Sequence, residues 1–306
     1  EFRNIRLKNK DFIKLCLNSK LCSEITLQPI NKLDVDSAII FSDILMVPYA
    51  LGQKVNFTKN QGPRLSKFHL EKFLDVSEAN FLKTLSPVYK SIEITRNNLD
   101  KKKSLICFIG APWTLLLYML GLRKSKKEID YSKLNFENST IDKVIERLIK
   151  YLCIHIKNQV DAGANVLQIF DSWAGLIPSA NIKTFCYTPN AKIVEFCKKE
   201  KIPSICFPKG IKEKYREFTN IVKPDGVNID SEIDPSWANK ELSNVVIQGG
   251  LDPSVLLKSD EEIFKKASKY FNIFKHKPYV FNLGHGLLPE TDPDKVAKLI
   301  KFYRSY

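Results

Sequence analysis

Ala38-Ile39-Ile40-Phe41-Ser42-Asp43-Ile44-Leu45 carries four apolar residues without a break into a serine and a lone carboxylate. A strand buried on both faces reads as an unbroken apolar run, the pattern of a parallel sheet covered by helices. A carboxylate at the C-terminal end of such a strand stands where parallel barrels place their chemistry. The same design recurs down the chain. Leu105 to Ile109 runs into Gly110-Ala111-Pro112-Trp113-Thr114, Val166 to Phe170 into Asp171-Ser172, and Ser204 to Phe207 into Pro208-Lys209-Gly210. Gly226 to Ile229 runs into Asp230, Val245 to Ile247 into Gln248-Gly249-Gly250-Leu251-Asp252-Pro253, and Tyr279 to Leu283 into Gly284-His285-Gly286. These are seven apolar strands, each ending in small or polar residues.

Between most of them lies enough chain for a helix. Asp11 to Ile30 reads as helix, with a break near Asn18-Ser19 and an end before Pro29. Ile44 to Lys103 is a long connection in which Phe73 to Asn98 reads as helix broken by Pro87. Ile141 to Asp161 is amphipathic, with Val144, Ile145, Leu148, Ile149, Leu152 and Ile156 on one stripe. Ser179 to Lys199 reads as helix interrupted at Pro189, and Ser259 to Glu262 fits a capping box. Strands alternating with helices point to parallel βαβ units. No Gly-x-Gly-x-x-Gly and no phosphate-binding loop occurs, so the doubly wound nucleotide-binding reading lacks its fingerprint. No fixed-period repeat and no linker appears, and residues 1–306 read as one domain. The fold class is α/β, a (β/α)8 TIM barrel. A closed barrel needs eight strands and seven are visible. The expectation is that the first strand lies upstream of Glu1 and that the chain is N-terminally truncated. An open seven-stranded sheet is the alternative.

The net charge of +14 admits a nucleic acid, a membrane surface or an acidic small molecule as partner. The lysine runs, Lys101 to Lys103 and Lys124 to Lys127, fall between elements, where solvated charge is ordinary. They lack interleaved aromatic residues, and no nucleic-acid-binding signature occurs, so no nucleic-acid partner is expected. No stretch reaches the ~18–20 apolar residues of a membrane span, so no membrane partner is expected either. Seven irregularly spaced cysteines suit free thiols in a reducing compartment, and a cytoplasmic location.

Ser42, Asp43, Tyr118, Ser172, Lys209, Asp230 and His285 all lie at or just beyond strand C-termini, which converge on one mouth in a parallel barrel. Asp43 reads either as a cap for the loop that follows it or as a functional carboxylate able to accept N–H donors or to hold a cation. His285, flanked by glycines, reads as an anion-binding donor, a general acid or a metal ligand, or else as a turn residue bonded to backbone. Cys153-Ile154-His155 lies in a helical pattern that makes its side chains diverge, so no metal site is expected. No nucleophile elbow for a serine hydrolase occurs.

The ordered set Leu27-Gln28-Pro29, Ala38 to Leu45, Gly110-Ala111-Pro112-Trp113-Thr114 with Tyr118-Met119, Gln168 to Gly175, Phe207-Pro208-Lys209-Gly210, Gln248 to Pro253 and Asn282 to Gly286 resembles the uroporphyrinogen decarboxylase family over nearly the whole chain. The resemblance implies a single (β/α)8 barrel, a homodimer and no metal or organic cofactor. It implies decarboxylation of the four acetate side chains of uroporphyrinogen to give coproporphyrinogen. By motif, Asp43 matches the catalytic carboxylate that faces the pyrrole N–H groups. Tyr118, Ser172 and His285 match substrate-binding positions. Glu1-Phe2-Arg3 and Arg6 match the tail of an arginine-rich motif, with Arg6 as a substrate-binding arginine. The rest of that motif, Arg-Gln-Ala-Gly-Arg-Tyr-Leu-Pro, does not precede Glu1. On that ground this chain is expected to bind substrate poorly and turn over little, and an N-terminally completed chain to be active. Gly250 stands where the family usually has asparagine, and an extra glycine is expected to loosen its loop.

Two other readings have different requirements. A corrinoid- or thiol-dependent methyltransferase on a similar barrel needs a His-x-Cys and a distant cysteine near the mouth, which this sequence does not offer. A truncated, inactive tetrapyrrole-binding barrel needs no catalytic group at all.

Overall fold

The computed structural model describes residues 2–58, 62–125, 128–134 and 139–305. Glu1, and Lys126 and Lys127 of the second lysine run, lie outside the described residues. The nine described strands are β1 (Ser37–Ile39), β2 (Val55–Thr58), β3 (Gly62–Leu65), β4 (Ser104–Gly110), β5 (Val166–Asp171), β6 (Ser204–Pro208), β7 (Gly226–Ile229), β8 (Val246–Gly249) and β9 (Tyr279–Val280). Seven of them form one parallel sheet in the order β1-β4-β5-β6-β7-β8-β9, with helices between successive strands. These are the seven strands read from the apolar runs. They curl into a barrel that is open between β1 and β9, and Ile39 and Val280 on those edges remain 45% and 41% exposed.

Alternation along the strands divides the core in two. Ala38, Ile40, Leu105, Cys107, Ile109, Leu167, Ile169, Val227 and Ile247 are buried and belong to one continuous hydrophobic core. Their in-register neighbours on the other face line the inside of the curl. There the Gln248 amide donates to Gln168 Oε1 (3.1 Å) and to Asn228 Oδ1 (2.8 Å), which pairs polar groups that water cannot reach. The rings of Phe108, Phe170 and Phe207 meet edge-on beside them.

Three expectations about helices need correction. Pro29 does not end its helix, which runs Ser19–Leu33 and stops where Asp34 turns into the left-handed region at φ 49°. Pro87 does not break Glu78–Asn98. A proline leaves the carbonyl four residues back without its donor. Here that carbonyl belongs to Lys83, and the Ser86 hydroxyl donates to it at 2.9 Å. Near Pro189 the interruption is a π-helical turn, Lys183–Tyr187, that runs directly into the helix Thr188–Lys199. The amphipathic helix appears as Ser139–Asp161 with its stripe buried, and the capping box at Ser259 and Glu262 is formed.

The long connection after β1 holds an antiparallel hairpin, β2–β3, with Asn56 opposite Arg64. It is clamped over the helix Pro112–Met119. The Gln53 amide donates to the Ser66 carbonyl (2.9 Å) and to the Met119 carbonyl (3.0 Å).

Candidate active site at the strand C-termini

Beyond β1 the Ile40 N–H still pairs with the Ile106 carbonyl (3.0 Å), and the Phe41 N–H goes to Thr26 Oγ1 (2.8 Å). The chain then turns through Asp43 into the short helix Met46–Ala50. The Leu45 N–H donates to Asp43 Oδ1 (2.8 Å). The capping reading of this aspartate holds, since one oxygen receives the turn's N–H, while Oδ2 accepts no hydrogen bond among the described residues. Desolvation pushes the carboxyl pKa up to about 6, against the opposing pull of the Leu45 N–H. Burial likewise pushes up the neighbouring Cys16 thiol; the charge of Asp43 adds to that effect and the charge of Arg6 opposes it. Arg6 thus acts on the same neighbourhood as Asp43. Its guanidinium donates to the carbonyls of Asn9 and Lys10 and lies over the Phe12 ring, 5.1 Å from its centroid.

Tyr118 comes from the helix Pro112–Met119, which Pro112 starts directly after β4. The junction is tight. A side chain on Gly110 would meet Ile44 Cβ at 3.0 Å and Leu115 Cδ2 at 2.7 Å. Trp113 Nε1 donates to the Trp173 carbonyl (3.2 Å), and the Tyr118 and Trp173 rings meet edge-on at 6.1 Å. Tyr118 is thereby set beside the end of β5, where Ser172 is exposed.

Asp171, one residue earlier, is buried and faces the other way. Its oxygens accept from Thr114 Oγ1 (2.7 Å) and Asn190 Nδ2 (3.2 Å), and burial outweighs these bonds to push its pKa up to about 6. Asp230, singled out in the sequence, is also a structural tie. It accepts from the Gly210 N–H (2.8 Å), the Tyr215 hydroxyl (3.0 Å) and the Glu232 N–H (3.1 Å), and so fastens the ends of β6 and β7 together.

His285 follows Gly284, whose Cα packs so closely on Ser231 that a Cβ would lie 2.6 Å from its backbone nitrogen. His285 Nδ1 accepts the Gly286 N–H (2.7 Å), which assigns the ring proton to Nε2. Partial desolvation, and then the charge of Lys209, lower the His285 pKa, so the ring is neutral and Nε2 is a donor at neutral pH. Two cavities take three of these groups, and Asp43, Arg6 and Ser172 line neither. Ser42 and His285 line one of about 580 Å³ along the β1–β9 opening. Tyr118 lines another of about 650 Å³ beneath the β2–β3 hairpin. Arg6, on the helix Phe2–Lys8, and Asp43 both act on Cys16, Tyr118 packs on Trp173 next to Ser172, and the charge of Lys209 acts on His285; among the described residues no hydrogen bond joins Arg6, Asp43, Tyr118, Ser172 and His285 to one another.

The Gly250 loop is not loose. Gly249 and Gly250 both take positive φ (80° and 98°), and a Cβ on Gly250 would lie 2.8 Å from Tyr270. The Tyr279 and Tyr270 hydroxyls pin the two carbonyls, each at 2.7 Å. His155 is buried with its Nδ1 3.1 Å from the Tyr89 hydroxyl, and burial lowers its pKa to about 3. Among the described residues no three His, Cys, Asp or Glu side chains group as a metal site would require. Sequence reading passed over Arg64 and Arg123, which line the cavity beside Tyr118. A lone arginine in a hairpin and another at the head of a lysine run carry no local signal.

A family model described as Uroporphyrinogen decarboxylase (URO-D) matches residues 1–306. A uroporphyrinogen decarboxylase of Rickettsia bellii is 40% identical over 314 residues, covering 100% of this chain and 91% of that protein. Those of Orientia tsutsugamushi (strain Ikeda) and Wolbachia pipientis wMel are each 36% identical, covering 100% of this chain and 90% of theirs. Among solved structures, a methyltransferase from Methanosarcina mazei superposes with a TM-score of 0.77 at 15% identity, covering 94% of this chain and 86% of that one. A B12-independent methionine synthase from Shewanella sp. W3-18-1 gives 0.59 at 10% identity, covering 93% and 85%. At such identities these two structures speak for the barrel architecture alone. With its motifs in order, its seven barrel strands in sequence and a match that spans its length, the chain belongs to the uroporphyrinogen decarboxylase family.

Proposed function

We propose that this chain is a carboxy-lyase that removes the acetate carboxyls of uroporphyrinogen, leaving methyl groups and giving coproporphyrinogen in porphyrin and haem synthesis. The observation that carries the site assignment is Asp43: a half-buried carboxylate at a barrel strand end, with one oxygen anchored by the Leu45 N–H and the other open.

The chemistry needs an electron sink. Protonating the pyrrole carbon beside the one that bears the acetate makes an iminium-like ring cation. The C–COO⁻ bond then breaks, its electron pair flows into that cation, and CO2 leaves an exocyclic methylene. A proton added to the methylene, and loss of the one on the ring carbon, restore the pyrrole with a methyl group. Each carboxyl consumes one proton overall. Asp43 Oδ2 accepts the pyrrole N–H and stabilises the cation. A fixed charge in a desolvated site does this without reorganisation. Once cation and N–H face it, they favour the ionised carboxylate.

In the same reading Tyr118 and Ser172 hydroxyls and His285 Nε2–H donate to substrate carboxylates, and Arg6 clamps one through its planar fork. Family likeness supports action as a homodimer without a cofactor. The seven free cysteines, six of them buried, support a reducing cytoplasm. Supplying uroporphyrinogen and counting CO2 and coproporphyrin after oxidation tests the assignment. Four CO2 per macrocycle is the predicted yield, and carboxyl arms left intact would sink it.

A further inference from the structure

The cavity of about 650 Å³ beside Tyr118 has the chemistry of an anion site. It is lined by Leu117 and Tyr118, by the hairpin residues Gly62 to Leu65, and by Gly121 with Arg123 to Ser125. Among the described residues no carboxylate lines it, while Arg64, Arg123 and Lys124 do. The Lys124 charge is shared with Glu128 (3.7 Å) and Asp130 (3.8 Å). Arg64 is exposed and no acidic side chain among the described residues pairs with it. The Arg123 guanidinium lies 5.9 Å from the centroid of the Tyr118 ring. Gly62, at φ 73°, lets the hairpin approach that guanidinium, where a Cβ would come within 3.0 Å of Nη2. The hairpin is held in place, so the position of Arg64 is set by the fold. Besides the Gln53 bonds, Lys54 N–H donates to Ser66 Oγ (3.1 Å) and Phe57 meets Phe12 edge-on at 4.4 Å.

We propose that Arg64, with Arg123 beside it, is a second carboxylate-binding position of the same site, taking a propionate arm of the macrocycle at the rim while the acetates are presented to Asp43. This rests on the decarboxylase reading for the identity of the ligand. The link is Tyr118, which lines the cavity and whose ring also packs on Trp173 next to Ser172. An arginine fork matches a carboxylate bidentately, which a lysine does not. A propionate survives all four turnovers, so a clamp on it holds substrate, intermediates and product alike. Arg64 is a specificity residue in this account and takes no part in bond breaking.

The test compares wild type with Arg64→Gln, Arg64→Lys and the control Arg216→Gln, which removes an exposed arginine paired with Glu241. Binding of uroporphyrin and coproporphyrin is read by fluorescence, and turnover of uroporphyrinogen by product. Arg64→Gln should weaken both porphyrins by the same factor, about two- to fivefold, as expected for an exposed ion pair. It should raise KM with kcat within twofold; Arg64→Lys should fall between, and Arg216→Gln should match wild type. Unchanged binding in Arg64→Gln would overturn the proposal. So would a loss confined to uroporphyrin, which would mean an acetate clamp. If wild type binds porphyrin through Arg64 but releases no CO2, this proposal stands and the decarboxylase reading falls. If wild type turns over and Arg64→Gln is indistinguishable from it, only this proposal falls.

Discussion

Asp43 uses its two carboxylate oxygens differently. One is fixed by the Leu45 N–H and the other accepts no hydrogen bond among the described residues. Because desolvation raises its pKa to about 6, the group is partly protonated in mildly acidic solution, and only the ionised form can face a cation. kcat/KM should therefore fall as pH drops through about 6, and Asp43→Asn should lack that limb. A profile flat from pH 5 to 8 in wild type would count against the role. Gly250 makes a separate prediction. With φ at 98° and Tyr270 packed against its Cα, Gly250→Ala should lower stability by about 1–3 kcal/mol, measured by urea unfolding. Asp43 and His285 were legible because each stands alone among apolar residues or glycines after a strand. Arg64 was not, since nothing local marks an arginine that acts through the packing of a distant hairpin.

At the scale of elements, the strands were legible because burial on both faces leaves runs such as Leu105 to Ile109 with no polar residue. The hairpin β2–β3 was hidden by its Pro63 and its short, mixed strands. The helix through Pro87 was hidden because its rescue lies in the Ser86 side chain, which propensity does not count. The ends of β5 and β6 are joined where Gly175 meets Gly210, and a Cβ on Gly175 would lie 2.4 Å from the Gly210 carbonyl oxygen. Backbone cannot yield as a side-chain tip does, so Gly175→Ala should cost about 1–3 kcal/mol and disturb the Ser172 loop. Asp171, beneath that loop, has a folded pKa of about 6, above its unfolded value. The folded state then binds more protons between about pH 4 and 6, so this group's contribution to stability is greatest at the acid end and is lost as pH rises through that window. The stability of Asp171→Asn relative to wild type should accordingly improve from pH 4 to 6. A constant difference would contradict the assignment.

For the whole molecule, the sheet has a closed side and an open one. The polar layer of Gln168, Asn228 and Gln248 and the densest packing lie on β4 to β8, whereas β1 and β9 present free edges. Amide exchange should be slowest on β5 and β6 and faster by about two orders of magnitude or more on β9. A net charge of +14 facing an octacarboxylate should also make KM rise with salt as screening sets in. Decarboxylation by this route depends on a cation formed against Asp43. The most direct measurement is the rate of coproporphyrinogen formation from uroporphyrinogen by wild type and by Asp43→Asn, with the fold of each checked by circular dichroism. A folded variant slower by about 10²- to 10³-fold is the predicted result; a folded variant running at the wild-type rate would contradict it.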